Sequence, residues 1–153
     1  MRDSLVRIIL GSLLIAVFGV QPTLAQSGGR NLHRIKKIYI EAIPNVKEEK
    51  KIEPFLKTEL ESCGFEIVGA PSEADAVLSG EIQAEIVLHG DGSVPNKSIY
   101  LYRLSIPDGG VVWEGKVKFV SKPSFAEDNE YAAKRIAEKL AKDWRKSAKK
   151  AGA

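Results

Sequence analysis

Apolar and polar residues alternate along much of the chain, and changes in the period of that alternation divide it into elements. Over residues 35–43 the period is two. Ile38, Ile40 and Ala42 fall on one side and Lys37, Tyr39 and Glu41 on the other, which predicts a first strand closed by Pro44-Asn45. The period then lengthens. Ile52, Phe55, Leu56, Leu60 and Cys63 stand at helical spacing, Pro54 falls in the first turn, where a missing N–H is harmless, and Gly64 is the stop. Residues 65–68 read as a short second strand and 69–75 as a loop. Over residues 76–89 a long third strand is expected, with Leu78, Ile82, Ala84, Ile86 and Leu88 alternating with Ser79, Glu81, Gln83 and Glu85.

A turn over 90–96 leads to a fourth strand at 98–106. Pro107-Asp108-Gly109-Gly110 then leads to a fifth at Val111–Val120, with Val111, Trp113, Val117 and Phe119 inward and Glu114, Lys116 and Lys118 outward. After Pro123 the spacing predicts a helix over 129–149, striped by Ala133, Ile136, Leu140, Trp144 and Ala148. The order is β-α-β-β-β-β-α. Strands with one apolar face and helices with one apolar stripe satisfy each other in an α/β (α+β) two-layer sandwich, a mixed sheet with both helices on one face. The single domain is expected over residues 35–150.

The first 25 residues follow none of these patterns. Arg2 and Arg7 flank a short leader, residues 8–20 are almost wholly apolar, and Pro22 precedes Thr23-Leu24-Ala25. Such a run is too short for the ~20 residues that cross a bilayer, and small residues before a cut suit signal peptidase. Residues 1–25 are therefore expected to be a signal peptide cleaved between Ala25 and Gln26, followed by a flexible linker over 26–34. The mature form would then be periplasmic or secreted, without a transmembrane span.

Composition narrows the chemistry. The chain has 153 residues, 44% hydrophobic and 28% charged, which is globular material. One cysteine and two histidines leave no disulfide framework and no His- or Cys-rich metal site, and no cofactor or metal is expected. The formal charge is +3, yet from residue 128 onward eight Lys/Arg stand against four Asp/Glu, so the basic excess sits on the last helix. Lys142, Arg145, Lys146 and Lys149 are the candidate contact for an anionic envelope component, although cations near a helix C-terminus also suit the dipole without any partner. Export makes nucleic acid an unsuitable partner. Cys63 reads as a buried thiol, and Trp113 and Trp144 as core residues packed one against the other across the sheet–helix interface. His33 and His89 show no spacing that would bring them together. The Asp91-Gly92-Ser93 stretch reads as a hairpin turn rather than a calcium loop.

Three stretches together resemble a group of bacterial envelope domains. The first runs from Ile38-Tyr39-Ile40 through Leu60-Glu61-Ser62-Cys63-Gly64-Phe65-Glu66-Ile67-Val68. The second is Ala74-Asp75-Ala76-Val77-Leu78-Ser79-Gly80-Glu81-Ile82, and the third runs from Leu101-Tyr102-Arg103-Leu104 through Asp108-Gly109-Gly110-Val111-Val112-Trp113. Their order is similar to that in the periplasmic domain of the curli-secretion lipoprotein, the lipoprotein activators of penicillin-binding proteins, and the amino-terminal domain of the Tol-system propeller protein. The resemblance implies a small envelope adaptor domain and carries over no catalytic residue. Within these stretches Asp75 is placed to turn the chain into the third strand, and Gly80 to permit a bulge or a close backbone approach.

The expectation is thus a non-enzymatic, exported binding or adaptor module, contacting an envelope protein or anionic envelope component. Contact would run through the exposed sheet face (Glu81, Gln83, Glu85, Lys116, Lys118) or the basic helix. The alternative is a small-molecule, lipid or glycan carrier with a pocket between helices and sheet, lined by residues such as Tyr100, Tyr102 and Trp144. A hydrolase would need a nucleophile–base or metal constellation that no motif supplies.

Overall fold

A computed structural model describes residues 32–44, 51–86, 96–108, 110–122 and 124–152. The Ala25/Gln26 cleavage site, His89 and the Asp91-Gly92-Ser93 turn lie outside the described residues. The elements are β1 (Lys37–Ile40), α1 (Glu53–Ser62), β2 (Glu66–Ile67), β3 (Ala76–Ile86), β4 (Asn96–Ser105), β5 (Val111–Val120) and α2 (Phe125–Ala151). They form one five-stranded mixed sheet in the order β2-β1-β3-β4-β5. β1 pairs in parallel with both β2 and β3, whereas β3–β4 and β4–β5 are antiparallel. The α+β sandwich and the element order agree with the sequence pattern.

Both helices lie on the face that carries Ile38, Leu78, Tyr100, Tyr102, Leu104 and Trp113, all buried. α1 contributes Leu56 and Leu60, and α2 contributes Ile136 and Leu140 between Ala132, Ala133, Ala137 and Ala141. Small residues on that stripe let a helix of about 40 Å, at 1.5 Å per residue, lie close to the sheet. α1 ends where Gly64 takes φ +95°. Gly64 N donates to Glu61 O and Phe65 N to Leu60 O, the paired bonds of a Schellman stop. α2 begins at Ser124, whose Oγ accepts from Glu127 N at 3.3 Å, in a Ser-x-x-Glu sequence.

Two glycines set the depth of the core. Gly80, Tyr102 and Gly115 are cross-strand partners in one row over β3, β4 and β5. A Cβ at Gly80 would sit 2.5 Å from Tyr102 Cζ, and one at Gly115 would sit 2.8 Å from Trp113 Cζ2. Each glycine therefore makes room for a large ring lying flat on the sheet. At Gly80 the ladder stays in register, so of the two roles expected there, the close approach is the one observed.

Several expected boundaries are corrected. β1 is confined to 37–40, the stretch that pairs with β2 at Lys37 and Ile38 and with β3 at Ile38, Tyr39 and Ile40. Within the expected linker, Leu32–Arg34 form a 3-10 turn with Leu32 buried, and His33 Nδ1 lies 3.3 Å from Ser147 Oγ of α2. A bulge opposite Leu104/Ser105 breaks the alternation in β5, so Val112 is buried beside Trp113 and Val111 is only half-buried. α2 starts one turn earlier than expected. Asp128 and Asn129 are buried there: Asp128 accepts from Lys122 N at 2.6 Å and from Ser98 Oγ at 3.2 Å, and Asn129 Oδ1 accepts from Tyr100 Oη at 2.9 Å. These bonds fasten the start of α2 to β4 and to the chain leaving β5.

Candidate functional site

Among the described residues β5 is one edge of the sheet, and α2 runs beneath it. Phe119 of β5 meets Tyr131 of α2 edge-on at 4.9 Å between ring centroids and stacks on Tyr100 at 5.7 Å, so the helix is held against the strand at its start. Farther along, Trp113 Nε1 donates to Asp143 Oδ2 at 3.1 Å and holds it at its other end. Between these anchors lies a groove of about 460 Å³. β5 supplies Lys116, Val117 and Lys118 to it; α2 supplies Tyr131, Arg135, Glu138, Lys139 and Lys142.

The helical period explains the convergence. Arg135, Lys139, Lys142, Lys146 and Lys149 are spaced by three or four residues and so form one stripe along α2. The first three face β5. α2 thus sets three cationic side chains, Arg135, Lys139 and Lys142, beside one carboxylate, Glu138, which Arg135 Nη1 approaches at 3.5 Å, while Lys116 and Lys118 border the groove along the strand and alternate towards the outer face. The groove's floor is apolar at Val117 and Tyr131.

The four residues singled out from sequence do not share one site. Lys142 is in the groove. Arg145 borders a second hollow of about 440 Å³ with Ile35, Cys63, Phe65 and Trp144, and its Nε donates to Ala141 O. Lys146 Nζ stands 3.7 Å from Asp143 Oδ1. Lys149 is exposed in the last turn of α2. Arg135 and Lys139, by contrast, join Lys142 along the groove, and Lys116 and Lys118 border it only because α2 folds beneath β5. The i, i+4, i+7 spacing of Arg135, Lys139 and Lys142 was the available signal.

Cys63 is half-buried at the end of α1, on the rim of that second hollow. The two tryptophans occupy different places. Trp144 packs edge-on against Phe65 at 6.2 Å and donates Nε1 to Ile35 O at 2.9 Å, whereas Trp113 is tied to Asp143. The expected pairing of the two indoles is replaced by these separate anchors. Tyr100 and Tyr102 are packed into the core, both 2% exposed, and Tyr102 also borders a hollow of about 270 Å³ with Gly115 and Lys139. Burial and the Asp128 carboxylate push the Tyr100 phenol up to about 12. Burial holds the Tyr102 phenol higher still, and its hydroxyl has no partner among the described residues.

On the outer face of the sheet Glu81, Gln83, Lys116 and Lys118 are exposed, while the side chain of Glu85 lies outside the described residues. Arg103 Nε and Glu114 Oε1 bridge β4 and β5 there at 2.9 Å. Among the described residues no three His, Cys, Asp or Glu side chains converge. No helix among them is long and apolar enough to cross a membrane.

No model of a known protein family matches the chain, and no curated protein matches it. A solved structure of a minor lipoprotein from Acinetobacter baumannii aligns with 75% of this chain and 94% of that one. The identity is 15% and the TM-score 0.44. Likeness at that level carries no weight for function.

Proposed function

We propose that the chain is an exported, non-enzymatic binding or adaptor domain that contacts another envelope component through the groove between β5 and α2. The groove's charge carries this reading: Arg135, Lys139 and Lys142 of α2 stand along one channel that holds a single carboxylate and is bordered by Lys116 and Lys118 of β5. Such clustering strengthens attraction to an anionic partner well beyond that of a lone exposed lysine. The side chains present offer charge, hydrogen bonds and an apolar floor, which suit recognition. Export is supported by the leader with its Ala25/Gln26 junction, and the carrier reading loses support because Tyr100 and Tyr102 are spent on the core.

The test is photo-cross-linking in intact cells, with a cross-linking residue at Arg135 in one variant and at Glu81 on the outer face in another. Fractionation would accompany it. A discrete adduct from position 135, absent from position 81, in the envelope fraction is the expected result. A cytosolic, uncut chain, or equal non-selective labelling at both positions, contradicts the reading.

A further inference from the structure

The groove's two walls are different in kind. One is a helix face bearing Arg135, Lys139 and Lys142. The other is a strand edge. β5 runs for ten residues and pairs only with β4 among the described residues, so every second backbone N–H and C=O along it points away from the sheet. A row of this kind accepts an added strand. A strand laid there would turn alternate side chains towards α2, over Val117 and Tyr131 and against the cations.

We propose that this groove takes an extended acidic segment of a partner protein as a sixth strand, with carboxylates at alternate positions facing Arg135, Lys139 and Lys142. This rests on the binding-module reading above and specifies the partner's chemistry. A second copy of the chain is the wrong occupant. Antiparallel pairing of two β5 strands centred on Val117 would set Lys116 of one copy opposite Lys118 of the other, and like charges across a ladder are destabilising. An acidic strand instead meets Arg135, Lys139 and Lys142 with the opposite sign. A flat anionic surface would use the charges but leave the backbone edge unsatisfied.

The test is a titration of the mature chain with a fluorescent peptide alternating glutamate and threonine. Companion peptides have lysine in place of glutamate, or N-methyl groups on alternate backbone nitrogens, in each of the two phases. We expect saturable binding of the glutamate peptide, a loss of at least about tenfold for one N-methylated phase, and no binding of the lysine peptide. Arg135→Glu with Lys142→Glu, both at exposed positions, should weaken binding at least about tenfold while circular dichroism is unchanged. Lys57→Glu, on the exposed face of α1, should leave binding as it was. Equal binding of all the N-methylated peptides overturns the proposal, since charge alone would then suffice. So does retention of vesicles rich in phosphatidylglycerol, lost in the double variant, by a chain that ignores the peptide. If the peptide fails while the cross-link from position 135 still captures a protein, strand addition is wrong and the binding-module reading stands. If both fail, both fall.

Discussion

The two edges of the sheet are built in opposite ways. β2 is two residues long, lies beside β1 and follows directly on the Schellman stop of α1. An edge that short offers too few backbone groups to template another strand, so it needs no further protection. β5 offers ten residues, regular except at its initial bulge, with Lys116 and Lys118 among them. Lysines on an edge strand commonly guard against unwanted pairing. Here Arg135, Lys139 and Lys142 also lie below that edge, on the opposite side of the strand from the two lysine side chains, and that turns repulsion of most strands into selection of acidic ones. Length makes an edge usable, and charge decides by whom.

The comparison can be broken most severely at the glycines that seat each end of the sheet. Gly115→Val should expel the Trp113 ring, loosen its bond to Asp143 and cost about 3 kcal/mol, the upper end of overpacking penalties, read by urea denaturation. Gly69→Ala, near β2, adds a Cβ that meets nothing within 4 Å and should change stability by less than about 0.5 kcal/mol. Equal costs at both positions would remove the claim that β5 is seated by a close-packed ring.

Alkali should come next. Tyr100 and Tyr102 keep their protons in the fold beyond the ordinary phenol range, so their contribution is intact below about pH 10. Above it the unfolded chain ionises first, and stability falls until Tyr100 titrates in the fold near 12. Each tyrosine adds up to about 1.4 kcal/mol per pH unit to that slope. Tyr102→Phe should lessen the slope and leave stability at pH 7 unchanged or slightly raised, because its hydroxyl has no partner among the described residues to lose. Marked destabilisation at pH 7 would show that the hydroxyl is satisfied after all.

At the β2 side of the sheet, Asp75 accepts from Lys37 N and Lys36 N, both at 2.8 Å, and so ties the start of β1 to the start of β3. These bonds hold its carboxyl below the usual range, the Lys37 amide contributing most. Its contribution is therefore present above the ordinary carboxylate range and disappears as pH falls through the lowered value. Asp75→Ala should cost about 1 kcal/mol at pH 7 and clearly less at a pH where the carboxyl is protonated in both states. A constant difference across that range would mean the charge is irrelevant.

Smallest are the exposed ion pairs, Arg103–Glu114 at 2.9 Å beside β5 and Lys37–Glu66 at 3.7 Å beside β2. Double-mutant cycles should give less than about 0.5 kcal/mol for each, with the shorter pair the larger.

Much of this arrangement was legible beforehand. Alternation located the strands, Gly64 and Pro54 marked the limits of α1, and the faces of β3 followed from parity. What escaped the pattern depends on partners remote in sequence. Asp128 and Asn129 look like solvated helix residues until Ser98, Tyr100 and Lys122 arrive to bond them. Val112 is buried only because a bulge shifts the register against β4. Trp144 found Phe65 and Ile35 instead of Trp113 because the turn at Leu32–Arg34 folds the expected linker back over α2. The groove was half visible. Its helix stripe could be counted in the sequence, but that the stripe would run beneath the Lys116–Lys118 stretch was fixed only by β5 becoming the edge.

Amide hydrogen exchange, with and without the acidic peptide, tests the central claim most directly. Strand addition should slow the outward-pointing amides of β5 in an every-second-residue pattern, while the amides of β2 and α1 exchange as before. Protection spread along α2 with no alternation in β5, or protection centred on β2, would contradict it.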